Sequence, residues 1–167
     1  MQIAIFDAVV ATPLRMLQNL DAILDKAVAD IAAGKLDEET VLRAKLAPDM
    51  FDFTRQIQLA TDFAKSPAAR LAGVEVPKFP DEETTLAALK TRIAGIAEFL
   101  RGFKPAQFEG AAERRIVLPL RDRTLDLVGS DYLLGWAQPN FYFHYTAAYA
   151  LLRHLGVEIG KRDFLGR

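Results

Sequence analysis

The sequence predicts an all-α fold, a four-helix bundle with a short β-hairpin inserted before the last helix. Apolar residues recur at three- and four-residue spacing through four long segments, which is the pattern of amphipathic helices. Residues 114–128 instead favour two short strands around a tight turn. The length of 167 residues suits one domain with its own core, so we assign residues 1–167 to a single helical-bundle domain.

Composition argues against several classes of function. The 21 Lys and Arg residues nearly balance the 22 Asp and Glu residues, so we expect no nucleic-acid or membrane partner. The absence of cysteine excludes disulfides, thiolate metal clusters and a cysteine nucleophile. No phosphate-binding glycine loop, HExxH or GxSxG motif occurs. The N-terminal segment lacks the features of a signal peptide, and no apolar run is long enough to span a membrane, so we expect a cytoplasmic protein.

The first helix is predicted over Phe6–Ile31 from its apolar spacing. Pro13 should bend this helix or restart it with Thr12 as the cap, because proline lacks a backbone donor. Asp37 should then cap a short helical turn through Glu38–Leu42.

The second helix should begin near Pro48 and Asp49, since proline and an acidic residue both suit a first turn. It should end at Gly73, with a kink or a break at Ser66-Pro67. Residues 74–80 contain two prolines and no helical period, which indicates an extended linker.

The third helix should start at Asp81 and carry an apolar face from Leu86 to Phe103, stopped by Gly102 and Pro105. Two strands are predicted at 114–120 and 123–128. Residues 129–131 should cap the fourth helix, which should run to Leu155 and close on Gly156.

Two polar residues lie on the apolar face of the predicted last helix. On a helical wheel, Asn140 and His144 fall near the centre of that face. Polar groups in such a place need hydrogen-bond partners on another helix or on a ligand. Gln56 falls inside the apolar arc of the second helix, whereas Gln58 and Asp62 fall outside it. Gln56, Asn140 and His144 are therefore the predicted inward-facing polar cluster.

Two interpretations of this cluster stay open at this point. In the first, the three side chains form a hydrogen-bond network that sets helix register, because buried polar groups are normally paired within the protein. In the second, they line a small-molecule pocket. His144 would then act as general base, because it alone exchanges a proton near neutral pH.

Three features lie outside the cluster. Tyr142, Tyr145 and Tyr149 form a stripe roughly opposite the core face. Either the hairpin or the tail covers this stripe, or it forms a subunit interface, where tyrosine is enriched. His154 complements the helix dipole near the end of the last helix. Residues 161–163 are charged and predict a solvated tail.

Several segments resemble a known bacterial family. They are Leu46-Ala47-Pro48-Asp49-Met50-Phe51, Gln56, residues 148–157 (AYALLRHLGV) and residues 160–166 (GKRDFLG). Together they resemble an uncharacterised domain-of-unknown-function family placed with the DinB/YfiT-like helical bundles, over nearly the whole chain. The resemblance implies a DinB/YfiT-like four-helix bundle. It also implies a homodimer, as in many relatives.

The wider superfamily is known for a divalent metal held by three histidines, one on the second helix and two spaced as HxxxH on the fourth. By this resemblance His144 matches the second histidine of the pair, Asn140 stands at the first, and Gln56 stands at or near the helix-two histidine. Amides are poor ligands for zinc or nickel compared with imidazole. The resemblance therefore implies a degenerate site, with no cofactor predicted and at most a divalent metal held weakly by these three residues.

The leading hypothesis is a cytoplasmic DinB-like bundle whose degenerate metal site binds a small molecule. One alternative is a non-catalytic structural or stress-related dimeric protein. A second is a weak metal-dependent or thiol-dependent transferase, since such transferases occur in the superfamily. The sequence leaves open whether the protein is an enzyme.

Overall fold

The computed structural model describes residues 4–167, so the first three residues of the assigned domain and of the N-terminal segment lie outside it. Helices and strands follow in this order: a π-helical turn (Asp7–Ala11), α1 (Thr12–Ala32), α2 (Glu38–Arg43), α3 (Phe53–Ala72), α4 (Leu86–Arg101), a 3-10 turn (Pro105–Phe108), β1 (Arg115–Pro119), β2 (Thr124–Val128), α5 (Gly129–Tyr132), a second π-helical turn (Leu133–Ala137), α6 (Gln138–His154) and α7 (Lys161–Leu165). Since α5, the π-helical turn and α6 run on as one long helix, the predicted bundle with a hairpin before its last long helix is confirmed.

The central element of the bundle is α3. It packs against α6 on one side and α4 on the other, while α1 packs against α4 and α7. Between Phe53 and Arg70 no residue of α3 is exposed. The core includes Leu20, Ile57, Leu89 and Leu151, each fully buried. Polar side chains on α3 are therefore forced to find partners on its neighbours.

Side-chain caps set the helix starts, and two of these differ from the sequence-based expectation. Asp37 accepts a hydrogen bond from the backbone of Thr40 at 2.8 Å, which confirms the short helix α2. The expected start of α3 near Pro48 is wrong, because the chain first turns at residues 47–50 and Asp52 then caps α3 by accepting from Arg55 N at 2.9 Å.

The expected start of α4 at Asp81 is also wrong. Thr85 caps this helix by accepting from Ala88 N at 3.1 Å. The acidic residues before it are used differently, since Asp81 pairs with Arg55 and Glu83 pairs with Arg92. Asp81 therefore forms an ion pair with a distant residue and does not cap the helix.

The break that the sequence allowed at Ser66-Pro67 does not occur. α3 continues through Pro67, which is buried among neighbouring helices whose packing offsets the lost hydrogen bond. Thr12 is not a cap, because its N–H donates to Asp7 O five residues earlier. An equivalent five-residue hydrogen bond joins Gln138 N to Leu133 O, just before Pro139. In each π-helical turn, the residue before the proline thus bonds a carbonyl five residues earlier, and the helix continues although the proline has no N–H to donate.

The predicted hairpin is confirmed, with Val117 opposite Asp126 in an antiparallel register. The predicted cap at residues 129–131 is wrong, because these residues form the first helical turn and Val128 precedes it without a side-chain cap. Gly129 has another role: a Cβ there would lie 1.8 Å from Ala111 O. Close approach of two backbone segments therefore requires the glycine.

The C-terminal segment packs on α1, although two of the three charged residues at 161–163 are exposed. After Gly156, whose φ of +93° closes α6 as predicted, the chain forms α7 and packs on α1. Lys26 Nζ lies 2.6 Å from Asp163 Oδ1, and Asn19 Nδ2 donates to Phe164 O at 3.2 Å. Asp163 is thus held by contacts that the charged sequence does not reveal, whereas Lys161 and Arg162 are exposed, as the sequence predicted. Within residues 4–167, no helix has the length and apolar character needed to cross a bilayer.

Candidate functional site

One hydrogen bond joins Gln56 on α3 to His144 on α6. Oε1 of Gln56 lies 2.8 Å from Nδ1 of His144, and the side chains are 1% and 7% exposed. Gln56 Nε2 donates to Phe51 O at 3.2 Å, which sets the orientation of the amide. Since Oε1 can only accept, Nδ1 carries the proton, and the neutral imidazole keeps its lone pair on Nε2.

Aromatic rings surround the His144 imidazole. Phe63 stacks on it at a centroid distance of 5.8 Å, and the Phe143 ring meets it edge-on at 5.2 Å. Burial, and to a lesser extent the charge of Arg55, lower the pKa of His144 below its ordinary 6.5. At neutral pH the pair therefore consists of a neutral imidazole and a neutral amide.

Nε2 of His144 keeps contact with solvent. No hydrogen bond to Nε2 occurs within the described part of the chain, where Tyr145 Oη is the one fully buried side-chain polar atom without a partner. Nε2 is thus neither paired nor fully enclosed. It is the atom of the pair that is available to a hydrogen-bond donor.

Asn140 does not join the pair. Its side chain is half-buried, and Nδ2 donates to Trp136 O at 2.8 Å, one turn earlier in the same helix. This short amide is satisfied by its own helix, so it does not reach across to α3. The expected cluster of three is corrected to a pair, Gln56 and His144.

The tyrosine stripe lies mostly inside the molecule. Tyr145 is fully buried, with its ring 4.8 Å from that of Phe164, and half-buried Tyr149 contacts the same ring at 5.6 Å. Burial raises the pKa of the Tyr145 hydroxyl. α7 thus covers two of the three tyrosines, while Tyr142 is 37% exposed. Of the three expected interface residues, only Tyr142 lies at the surface.

The cleft beside the pair is small. Phe63 lines it together with residues of both π-helical turns, including Val9 and Ala137. Its volume of about 10 Å³ is room for about one water molecule. Neither Gln56 nor His144 lines it, so the two side chains converge on each other and not on this cleft.

Sequence analysis missed a second buried polar group, centred on Arg92 of α4. This arginine is 3% exposed and bonds Thr61 Oγ1 at 2.8 Å, Asp62 Oδ1 at 2.8 Å and Glu83 Oε1 at 3.0 Å. The signal was present, because Arg92 lies on the apolar face of α4, three residues after Leu89. Buried Lys65 lies 2.7 Å from the same Asp62 oxygen and supplies a second positive charge, so two cations offset the two carboxylates. The group ties α3, α4 and the segment before α4 together.

A wide, open groove of about 590 Å³ shares Glu83 with that group. Its charged lining consists of five carboxylates and two guanidinium groups, from Glu38, Glu39, Asp52, Asp81, Glu83, Arg43 and Arg55. Asp81 pairs with Arg55, and Glu83 accepts from Gln58 at 2.8 Å. In residues 4–167 no three His, Asp or Glu side chains are arranged to hold a metal ion.

The residues at the position that the resemblance assigns to a metal do not fit a metal ion. Gln56 Oε1 faces His144 Nδ1, and the Asn140 amide faces its own helix. One imidazole nitrogen, Nε2 of His144, is left as a ligand. A single nitrogen falls short of the three protein ligands that catalytic zinc sites use.

The chain matches the family model described as "Domain of unknown function (DUF1993)" over residues 5–165. It belongs to this family. A crystal structure of a DinB family member protein from Shewanella denitrificans is similar, with a TM-score of 0.91 and 44% identity over 98% of this chain and 92% of that chain. No curated protein matches. The resemblance to an uncharacterised DinB-like family is confirmed, and this family's description names no activity.

Proposed function

We propose that this DinB-like chain is a metal-independent, non-catalytic bundle in which a Gln56–His144 hydrogen bond links α3 and α6. The observation that carries the proposal is the 2.8 Å contact between Gln56 Oε1 and His144 Nδ1. By resemblance, these two positions hold metal ligands in the wider superfamily. Here a direct bond between the side chains takes the place of coordination to a shared ion.

Two further features support a structural role for the pair. α3 and α6 form the main helix–helix contact of the bundle, and the bond lies within it. The amide of Gln56 is satisfied on both sides, by His144 and by Phe51 O. A buried hydrogen bond between two helices sets their register, since any slip would leave both of its polar groups unpaired.

A double-mutant cycle tests the link. Gln56→Leu, His144→Leu and the double variant are compared by urea denaturation, because leucine replaces both polar groups with apolar ones. Each single variant strands one buried polar partner and should lose about 1–3 kcal/mol, whereas the double variant should lose less than the sum. Additive losses would contradict a direct link.

Metal independence is tested separately. Wild-type protein titrated with nickel or zinc should show no stoichiometric binding by calorimetry, and elemental analysis of protein purified without chelator should give substoichiometric metal. Binding of one ion per chain that His144→Ala abolishes and His154→Ala preserves would overturn the proposal. His154 is the matched control because it is exposed at the end of the same helix.

A small-molecule ligand is the second candidate function, and the solvent contact of His144 Nε2 favours it. The expected ligand pairs a hydrogen-bond donor with an apolar body, since Nε2 accepts and Phe63 and Phe143 flank the ring. A panel of small phenols and thiols should then raise the wild-type melting midpoint but leave His144→Ala unchanged. If none of these compounds raises the melting midpoint, this candidate is contradicted.

The transferase alternative and the cytoplasmic location stay predictions.

A further inference from the structure

Residues 75–84, here called the strap, lie against α3 and α4 without regular secondary structure. Among residues 4–167, no hydrogen bond between two backbone groups involves the strap. Side chains of the two helices hold it in place. Arg92 Nη1 donates to Pro80 O at 3.2 Å, and Lys65 Nζ lies 4.9 Å from the centre of the Phe79 ring. A segment held in this way can detach without breaking a helix or a sheet.

One carboxylate of the strap lies between two guanidinium groups. Asp81 Oδ1 is 3.1 Å from Nη1 of Arg92 on α4, and Asp81 Oδ2 pairs with Nη1 of Arg55 on α3. Arg55 and Arg92, here called the clamp, thus share a single carboxylate, with one oxygen for each. Guanidinium groups bind carboxylates strongly and in a fixed geometry, because their N–H donors lie in one plane.

The clamp brings more positive charge than the two helices offset in this network. On α3, Asp62 pairs with Lys65 and with one arginine of the clamp. The helices thus contribute one carboxylate against three cations, which are the two arginines of the clamp and Lys65. The strap supplies the other two carboxylates, from Asp81 and Glu83. Without the strap, two positive charges would lack partners and would attract another anion.

Room for a ligand lies beside the clamp. Arg55 and Asp81 line the open groove of about 590 Å³, and Asp81 also lines a second groove of about 510 Å³ next to residues 76–80. Most of the other charged residues of the first groove are acidic, including Glu38 and Asp52. A ligand whose carboxylate enters the clamp therefore meets negative charge along the rest of this groove, which favours a positively charged group at its far end.

We propose that the clamp is a binding site for a small amino carboxylate, and that Asp81 occupies it as a tethered substitute when the ligand is absent. The carboxylate of the ligand takes the place of the Asp81 carboxylate between Arg55 and Arg92. The ammonium group of the ligand faces the acidic residues of the groove. Since Asp81 then loses both of its partners, binding releases the strap.

Tethering makes the Asp81 contact replaceable. A tethered carboxylate competes with a ligand as a free carboxylate would at about millimolar concentration. The ammonium group of the ligand adds an attraction to the acidic groove that Asp81 cannot supply. The inference uses neither side chain of the Gln56–His144 bond, so the failure of one proposal leaves the other unaffected.

Limited trypsin digestion tests the release of the strap in the wild-type chain. Lys78 is the one trypsin site within the strap, and exposed Arg123, at the start of the second hairpin strand, serves as an internal control. Saturating 6-aminohexanoate should speed cleavage after Lys78 several-fold and leave cleavage after Arg123 unchanged. Mass spectrometry of the fragments measures both rates. An unchanged rate after Lys78 overturns the proposal.

NMR titration with 6-aminohexanoate, hexanoate and adipate tests the clamp. These ligands share a carboxylate and a chain of equal length, but they end in an ammonium, a methyl and a second carboxylate group. Asp81→Asn, which vacates the clamp, should bind 6-aminohexanoate about tenfold more tightly than wild type. Glu82→Gln, at the exposed neighbour of Asp81, is the matched control and should bind like wild type. Hexanoate should bind more weakly and adipate most weakly. If Asp81→Asn binds no 6-aminohexanoate, or if Arg55→Leu leaves its affinity unchanged, the proposal is overturned.

Discussion

Nδ1 of His144 lies 2.8 Å from Oε1 of Gln56, so one side-chain hydrogen bond crosses the main helix contact of the bundle. The position that resemblance assigns to a metal site is occupied by a bond between two protein groups. Removing a side chain of this bond should therefore lower the free energy of unfolding.

His144→Ala should lower the free energy of unfolding by about 1–3 kcal/mol through the stranded oxygen of Gln56, with a further loss from the contacts with Phe63 and Phe143. Urea denaturation at neutral pH measures the change. His154→Ala, the exposed control, should stay within about 0.5 kcal/mol of wild type. Equal effects of the two substitutions would contradict a structural role for the pair.

Stability should fall as the pH drops below about 6.5, the ordinary pKa of histidine. Burial lowers the pKa of His144 in the folded state, so the unfolded chain binds the proton first and unfolding is favoured in that window. The loss stops once the pH is below the folded-state pKa. Urea midpoints measured across the window should slope in wild type and flatten in His144→Ala. A wild-type midpoint that does not change below 6.5 contradicts the buried neutral imidazole.

Tyr145→Phe should raise the free energy of unfolding by about 1 kcal/mol, because the hydroxyl is fully buried without a partner and phenylalanine keeps the ring. Thermal melting measures the change, with Tyr142→Phe at the surface as the control. A clear loss of stability in Tyr145→Phe would mean instead that the hydroxyl is hydrogen-bonded in solution.

Arg92→Ala should cost about 3–5 kcal/mol, since it leaves the largely buried carboxylate of Glu83 without its cation, while Asp62 keeps only its ion pair with Lys65. Arg101→Ala, which removes a half-exposed pair with Glu98 on the same helix, should change stability by less than about 0.5 kcal/mol. Urea denaturation of both variants tests the difference. If both variants lose only a little stability, the Arg92 group does not stabilise the fold.

Local patterns predicted the helices and the hairpin, because spacing along one segment determines which face of that segment is apolar. The helix starts were predicted less well. Pro48 and Asp81 both carry helix-start signals, yet Asp52 and Thr85 cap the helices, and Asp81 pairs with Arg55. A helix start depends on which partner a side chain finds, and distant residues compete for it.

The inward direction of Gln56 and His144 followed from the 3.6-residue period alone, since it places both on apolar faces. The packing of the helices determines that the two side chains bond each other, that Asn140 bonds its own helix, and that α7 covers Tyr145. A helical period defines the direction of a side chain relative to its own helix. Which group it meets depends on how distant segments pack, and short-range patterns carry no information about that packing.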